Sequence, residues 1–334
     1  MKKKNDSRAP GHGAIYITVT AALVGAAALS LLVGAVHLSP AQILCALFSP
    51  DSSTAAAIVR LSRLPRTAAA MLAGAGLSIA GVLLQGVTDN HLASPNIIGV
   101  NAGAGLFTIL TLHLFPTAVL ALPFAAFFGA FAAASVILLT AGRIGFSKTN
   151  VILAGIALTS ILNAAISFVS LIDSDVVAAY NFFSVGGLSG IPPHTLAVPA
   201  VLIALSWALS LLLSRKISVL CLGDALAVSL GVRVRFLRAV CIILACAAAA
   251  SVVSFAGLLG FVGLVVPHIA RRLVGESTAR LLLCAPPLGA AVVLLADTLG
   301  RTLFAPTEIP VGIVMAFVGA PFFLALLLGR QSNV

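Results

Sequence analysis

Residues 215–238 read RKISVLCLGDALAVSLGVRVRFLR, and the 32 residues behind them, AVCIILACAAAASVVSFAGLLGFVGLVVPHIA (239–270), contain no Asp, Glu, Lys or Arg. At about 1.5 Å per residue a single helix of that length would reach roughly 48 Å, well past a hydrocarbon core of about 30 Å. The run therefore has to break, and Gly257, Gly260 and Gly263 are the residues at which it can. The segment in front of it is a polar, cationic island holding Arg215, Lys216, Arg233, Arg235 and Arg238. The rest of the chain is placed by asking on which side of a membrane this island lies.

That a membrane is involved follows from composition. The chain is 60% hydrophobic and 8% charged, with a mean hydropathy of +1.17, which leaves too little polar surface for a soluble protein of 334 residues. Apolar runs of near-spanning length occur at 14–36, 68–87, 97–115, 119–141, 151–172, 196–213, 282–299 and 311–328. Counting 239–270 as two segments, one of them short, gives an all-α polytopic protein of about ten transmembrane helices in a single transmembrane domain (1–334), with both termini on one side. The first run is too long for a signal-peptide core and reads as a retained span.

Charge sets the orientation. Lys2, Lys3, Lys4 and Arg8 (in a tail over 1–13), Arg143, Lys148, the island (215–238), Arg271, Arg272, Arg280 and Arg330 fall on one side. Only Arg60, Arg63, Arg66 and Arg301 fall on the other. The positive-inside rule puts the first group in the cytoplasm, so the net charge of +10 signals topology and not nucleic acid. The four remaining arginines either snorkel to headgroups or form a docking surface for an acidic partner.

Other features carry less. Asp297 precedes Arg301 by four residues on one helical face, which suggests a local ion pair or, as a rival, the proton carrier of a secondary transporter. Arg66 and Arg238 each open an Ala-rich span that leads through a Gly-containing stretch to a proline, a faint echo of an inverted repeat. Cys45, Cys221, Cys241, Cys246 and Cys284 show no ligand or redox spacing and read as small core hydrophobes. Ser160, Asn163 and Ser167 either line a wet conduit or bond to backbone carbonyls. Neither a P-loop nor an HExxH motif is present, so no catalytic residue or metal ligand is expected and energy must come from a partner.

Several motifs together resemble one family. They are Arg63-Leu64-Pro65-Arg66, the segment from Gly81 through Gln85 and Asn90 to Ala93-Ser94-Pro95-Asn96-Ile97-Ile98-Gly99-Val100, and Leu222-Gly223-Asp224 with Leu230-Gly231-Val232. Phe261-Val262-Gly263 through Pro267-His268-Ile269-Ala270-Arg271 and Glu308-Ile309-Pro310-Val311-Gly312 complete the set. In this order they resemble the FecCD permeases, the membrane subunits of type II ABC importers for iron–siderophores, haem and cobalamin. The resemblance implies a homodimer or close heterodimer in a bacterial inner membrane. Two ATPase subunits holding ATP and Mg would sit below, and an extracytoplasmic substrate-binding protein would dock outside. It assigns coupling to the ATPase to Leu222, Gly223, Asp224, Ala227, Leu230, Gly231 and Val232, and docking of the binding protein to Arg63, Arg66 and Arg301. It places the path near Ser160, Asn163, Ser167, Phe183, Gly186 and Gly187, although Phe183 and Gly187 stand where the family often has Trp and Ser. His268 and His91 are expected to make structural hydrogen bonds. The cargo expected is an iron chelate, most of all an iron–siderophore, with haem or cobalamin as alternatives.

Overall fold

The computed structural model describes residues 12–34, 36, 38–48, 53–96, 99–144 and 148–331. The tail cations Lys2, Lys3, Lys4 and Arg8, and the motif residues Ile97 and Ile98, lie outside the described residues. Among the described residues there is no strand.

The helices, in chain order, are α1 (His12–Leu32), α2 (Pro40–Phe48), α3 (Thr54–Ala57), α4 (Leu64–Thr88), α5 (Val100–Leu114), α6 (Leu122–Ile144) and α7 (Lys148–Ile172). They continue with α8 (Asp175–Val185), α9 (Ala197–Leu220), α10 (Asp224–Ser229), α11 (Val234–Ala256), α12 (Val262–Val274), α13 (Thr278–Thr302) and α14 (Val311–Gln331). Among the described residues seven helical stretches are long and apolar enough to cross a membrane, and Val100–Leu114 in α5 and Val311–Leu326 in α14 are further apolar stretches. The short α12 adds a further buried segment, so the helices accommodate about ten crossings.

The uncharged run breaks near its glycines. α11 ends at Ala256, Gly257 turns the chain at φ +69°, and α12 starts after Phe261, which itself takes a left-handed φ of +64°. Gly260 lies in the break, whereas Gly263 falls inside α12 and serves packing: a Cβ there would lie 2.9 Å from the Leu77 carbonyl oxygen of α4.

Small residues decide which helices are central. In α4, 78% of the most apolar window is buried, against 17% for α7. α4 packs on α11, α12 and α13. Gly74 of α4 meets Gly289 of α13 backbone to backbone, closer than any side chain would permit, as does Gly81 with Gly263. α1, α6, α7 and α9 are more peripheral.

Among the elements without a counterpart in the hydropathy reading are α2 and α8. α2 is only nine residues, yet its start is signed by a capping box: the Ser39 amide donates to Gln42 Oε1 (2.8 Å) and the Gln42 amide to Ser39 Oγ (3.3 Å), with Pro40 at the first helical position. The other is α8, an eleven-residue helix that follows α7 at once and packs against α5.

Candidate functional site: coupling helix, charge node and central junction

The island folds into a helix end, a turn and a short helix that packs back on the bundle. α9 runs on through Arg215 and Lys216 to Leu220, and Gly223 at φ +111° redirects the chain into α10. The two closing bonds of α10 form a Schellman motif: the Gly231 amide donates to the Val228 carbonyl and the Val232 amide to the Ala227 carbonyl, both at 2.9 Å, with Gly231 at φ +78°. Ala227 is fully buried against the bundle, and Asp224 accepts a 2.7 Å bond from Arg238 of α11. Leu222, Leu226, Val228 and Leu230 point outward and are exposed. The expected coupling residues thus form one rigid unit, in which Gly223, Gly231 and Ala227 shape it, Val232 closes it and Leu222 and Leu230 face outward. The Cys221 thiol lies 3.5 Å from the Gly86 carbonyl, which places this unit at the C-terminal end of α4. Close by, Arg271 donates two 3.1 Å bonds to Gln85 and lies 2.9 Å from Glu276, tying α12 to α4.

At the opposite end of α4 the arginines are arranged otherwise than an exposed docking triad. Arg63, Arg66 and Arg301 are each at most 9% exposed. Arg66 embraces Asp297 with Nε at 2.9 Å and Nη2 at 2.9 Å, and its Nη1 bonds Glu308 at 2.7 Å. The expected local pair of Asp297 with Arg301 exists at 3.5 Å, but it is the longer contact; Arg66 is the main partner. Arg301 donates to the carbonyl (2.8 Å) and hydroxyl (2.9 Å) of Ser30 on α1, whose hydroxyl also bonds Thr67 at 2.8 Å. Arg63 donates to the carbonyls of Leu31 and Leu32, unsatisfied C-terminal acceptors of α1, and to the carbonyl of Val36 just beyond it. Burial explains the difference: each arginine sits where a helix end or a buried carboxylate needs a donor. This node joins α1, α4 and α13. Sequence marked Glu308 only as the first residue of a motif and did not mark Ser30, and the pairing of both was hidden because their arginine partners lie 242 and 271 residues away along the chain.

Between these two ends three helix interruptions are stitched together. The Gly187 amide donates to the Ala256 carbonyl (2.9 Å), the Leu258 amide to Phe183 (3.2 Å) and the Gly312 amide to Gly186 (3.2 Å). The ends of α8 and α11 and the start of α14 therefore satisfy one another's backbone, as irregular chain at membrane depth must. Gly186 is buried at φ +73°, and a Cβ on it would lie 2.7 Å from the Leu258 carbonyl oxygen. Gly186 is thus a packing residue and not an open path wall; Gly187 and Phe183 are partly exposed beside it.

Ser160, Asn163 and Ser167 form one stripe of α7 and all three are exposed. Ser160 donates to the Ile156 carbonyl at 3.0 Å, the backbone bond that was one of the two alternatives for this stripe. His268 lies edge-on to Phe322, with ring centroids 6.0 Å apart, and engages further neighbours, as does His91. Among the described residues no group of three or more His, Cys, Asp or Glu is placed to hold a metal.

The family model of the FecCD transport family matches residues 22–329. The chain belongs to that family. Family membership makes it a multi-pass permease subunit, and the secondary-transporter alternative falls away. The Fe(3+)-citrate import system permease protein YfmE of Bacillus subtilis (strain 168) is 39% identical over 307 residues, covering 91% of this chain and 92% of the relative. The ferric enterobactin transport system permease protein FepD of Escherichia coli (strain K12) is 37% identical over 310 residues, covering 91% and 92%. A solved structure of the metal-chelate type of ABC transporter, in an inward-facing conformation, superimposes with a TM-score of 0.85 at 30% identity, covering 95% of this chain and 99% of the other.

Proposed function

We propose that this FecCD permease carries a ferric chelate inward across a bacterial cytoplasmic membrane, with both termini and the island in the cytoplasm, driven by a separate ATPase that docks on α10. The observation that carries the reading is the outward-facing Leu222, Leu226, Val228 and Leu230, on and just either side of a helix closed by a Schellman turn. An apolar patch held out on the cationic side of a membrane protein asks for a protein partner. The two relatives above act on chelates of iron(III), which favours an oxygen-rich ferric complex of the siderophore type as cargo. The chain itself supplies no group for ATP chemistry; ATP and Mg belong to the partner, in two copies if the permease is a dimer.

Two copies of the permease are supported by α7. Polar Ser160, Asn163 and Ser167 share a face with exposed Ile156 and Ala164, and such residues are costly against lipid but suited to a water-lined seam between copies. Docking of a binding protein at Arg63, Arg66 and Arg301 requires its carboxylates to reach Arg66 by displacing Glu308, whose side chain is 39% exposed.

The test is reconstitution of the co-purified complex in proteoliposomes with a binding protein and radiolabelled ferric chelates. Uptake should require ATP on the island side and should not collapse when the proton gradient is dissipated. ATP-independent uptake would refute the reading.

A further inference from the structure

A cleft of about 550 Å³ opens between the C-terminal end of α9, the α10–α11 turn and the first turn of α11. Its walls divide by chemistry: Leu213, Val219 and Phe236 are apolar, whereas Arg215, Lys216 and Arg233 are cationic. Arg238 of the same island is paired with Asp224, but these three cations are exposed and face no carboxylate within ion-pair distance among the described residues. Three unpaired cations around one opening form a site for an anion.

Position says which anion. Leu205, Leu209 and Leu212 make an exposed apolar stripe down one face of α9, and Lys216 continues that stripe one turn further. An exposed leucine row on a membrane-crossing helix faces acyl chains. The cleft therefore lies where that row ends and charge begins, the depth of a phosphodiester headgroup. A soluble anion would leave the leucine stripe and the Phe236 wall unused, and a zwitterionic lipid would bring its own cation to the three already present.

We propose that this cleft is a binding site for an anionic phospholipid, with the phosphodiester held by Arg215, Lys216 and Arg233 and an acyl chain lying along Leu212, Leu209 and Leu205. The site also touches Leu230, Gly231 and Val232, so an occupied cleft braces the closing turn of the coupling helix from behind. The inference uses the reading that the island sits at the membrane surface, but lipid binding is measured without transport, so the failure of one does not entail the failure of the other.

The experiment is native mass spectrometry of the full chain in mild detergent, with and without its co-purifying ATPase, titrated with dioleoyl phosphatidylglycerol, dioleoyl phosphatidylcholine or soluble glycerol 3-phosphate. Each surface cation contributes a factor of about five to anionic-lipid attraction. Arg215→Gln, Lys216→Gln, Arg233→Gln together should therefore weaken phosphatidylglycerol binding by about 100-fold. Arg235→Gln, an exposed cation of the island outside the cleft, should change it by less than about fivefold. Val219→Trp, which fills the apolar wall without altering charge, should also abolish retention and serves if the triple variant does not fold. Equal retention of phosphatidylcholine, undiminished binding in both cleft variants, or full competition by glycerol 3-phosphate would overturn the proposal. Loss of the bound lipid whenever the ATPase is present would overturn it too, by making the cleft a protein-docking surface.

Discussion

Removing the charge of Asp297 leaves two buried guanidinium groups, Arg66 and Arg301, without their shared partner. Asp297→Asn should cost about 3–5 kcal/mol, read as a lower midpoint in thermal or denaturant unfolding in detergent. Glu308→Gln, whose side chain is 39% exposed, should cost no more than about 1 kcal/mol. A proton carrier would behave differently, losing transport while the fold stayed as stable as before. At Gly186 a methyl group meets the Leu258 carbonyl and a left-handed backbone together, so Gly186→Ala should destabilise by about 1–3 kcal/mol. At this scale the sequence was half legible. Asp297 announced itself as an acid within an apolar run, and Arg301 four residues on offered an obvious partner. That Arg66 outcompetes Arg301 was hidden, because the pair is 231 residues apart and only the packing of α4 on α13 brings it together.

Among the elements, α10 is short enough that its geometry depends on its closing turn. Proline at position 231 removes the amide that bonds Val228 and cannot take a positive φ. Since Gly231 has open space around it, Gly231→Pro should leave the bundle folded while ATP hydrolysis by the assembled complex continues without uptake. Unchanged uptake would count against coupling through α10. The joint between α5 and α7 responds to pH instead. His113 bonds Asp173 at 2.6 Å, and this bond, with the Asp175 and Val176 amides, holds the Asp173 carboxyl below the usual carboxylate range despite a smaller opposing effect of burial. A carboxyl depressed in the folded state contributes stability above its unfolded value, about 3.9, and loses it as pH falls through the folded one. The gap in melting temperature between the native chain and Asp173→Asn should therefore hold down to about pH 4 and close below it. Helix positions were readable from apolar length, and the break near Gly257 from the excess of that length over a bilayer. α8 was not readable: its eleven residues are mostly apolar but too few to cross a bilayer, and only packing against α5 shows it as a separate element.

For the whole molecule, the half-polar face of α7 makes the strongest demand on a second copy. With Cys45 and Cys221, the exposed cysteines, replaced by serine, Ser167→Cys should give disulfide-linked permease pairs on mild oxidation, whereas Phe124→Cys, on the exposed face of α6, should not. Monomer alone from both variants would argue for a different seam. The charge node described above also bears on how the chain is made. Arg66 is translated long before Asp297 and Glu308, so while the ribosome works through α5 to α12 this guanidinium has neither counter-ion. The amino-terminal half must wait in the membrane with that charge unsettled until α13 arrives. A nascent chain stopped before α13 should thus be less stable for one uncompensated arginine, and co-expressed fragments divided in the α10–α11 turn should protect each other from proteolysis.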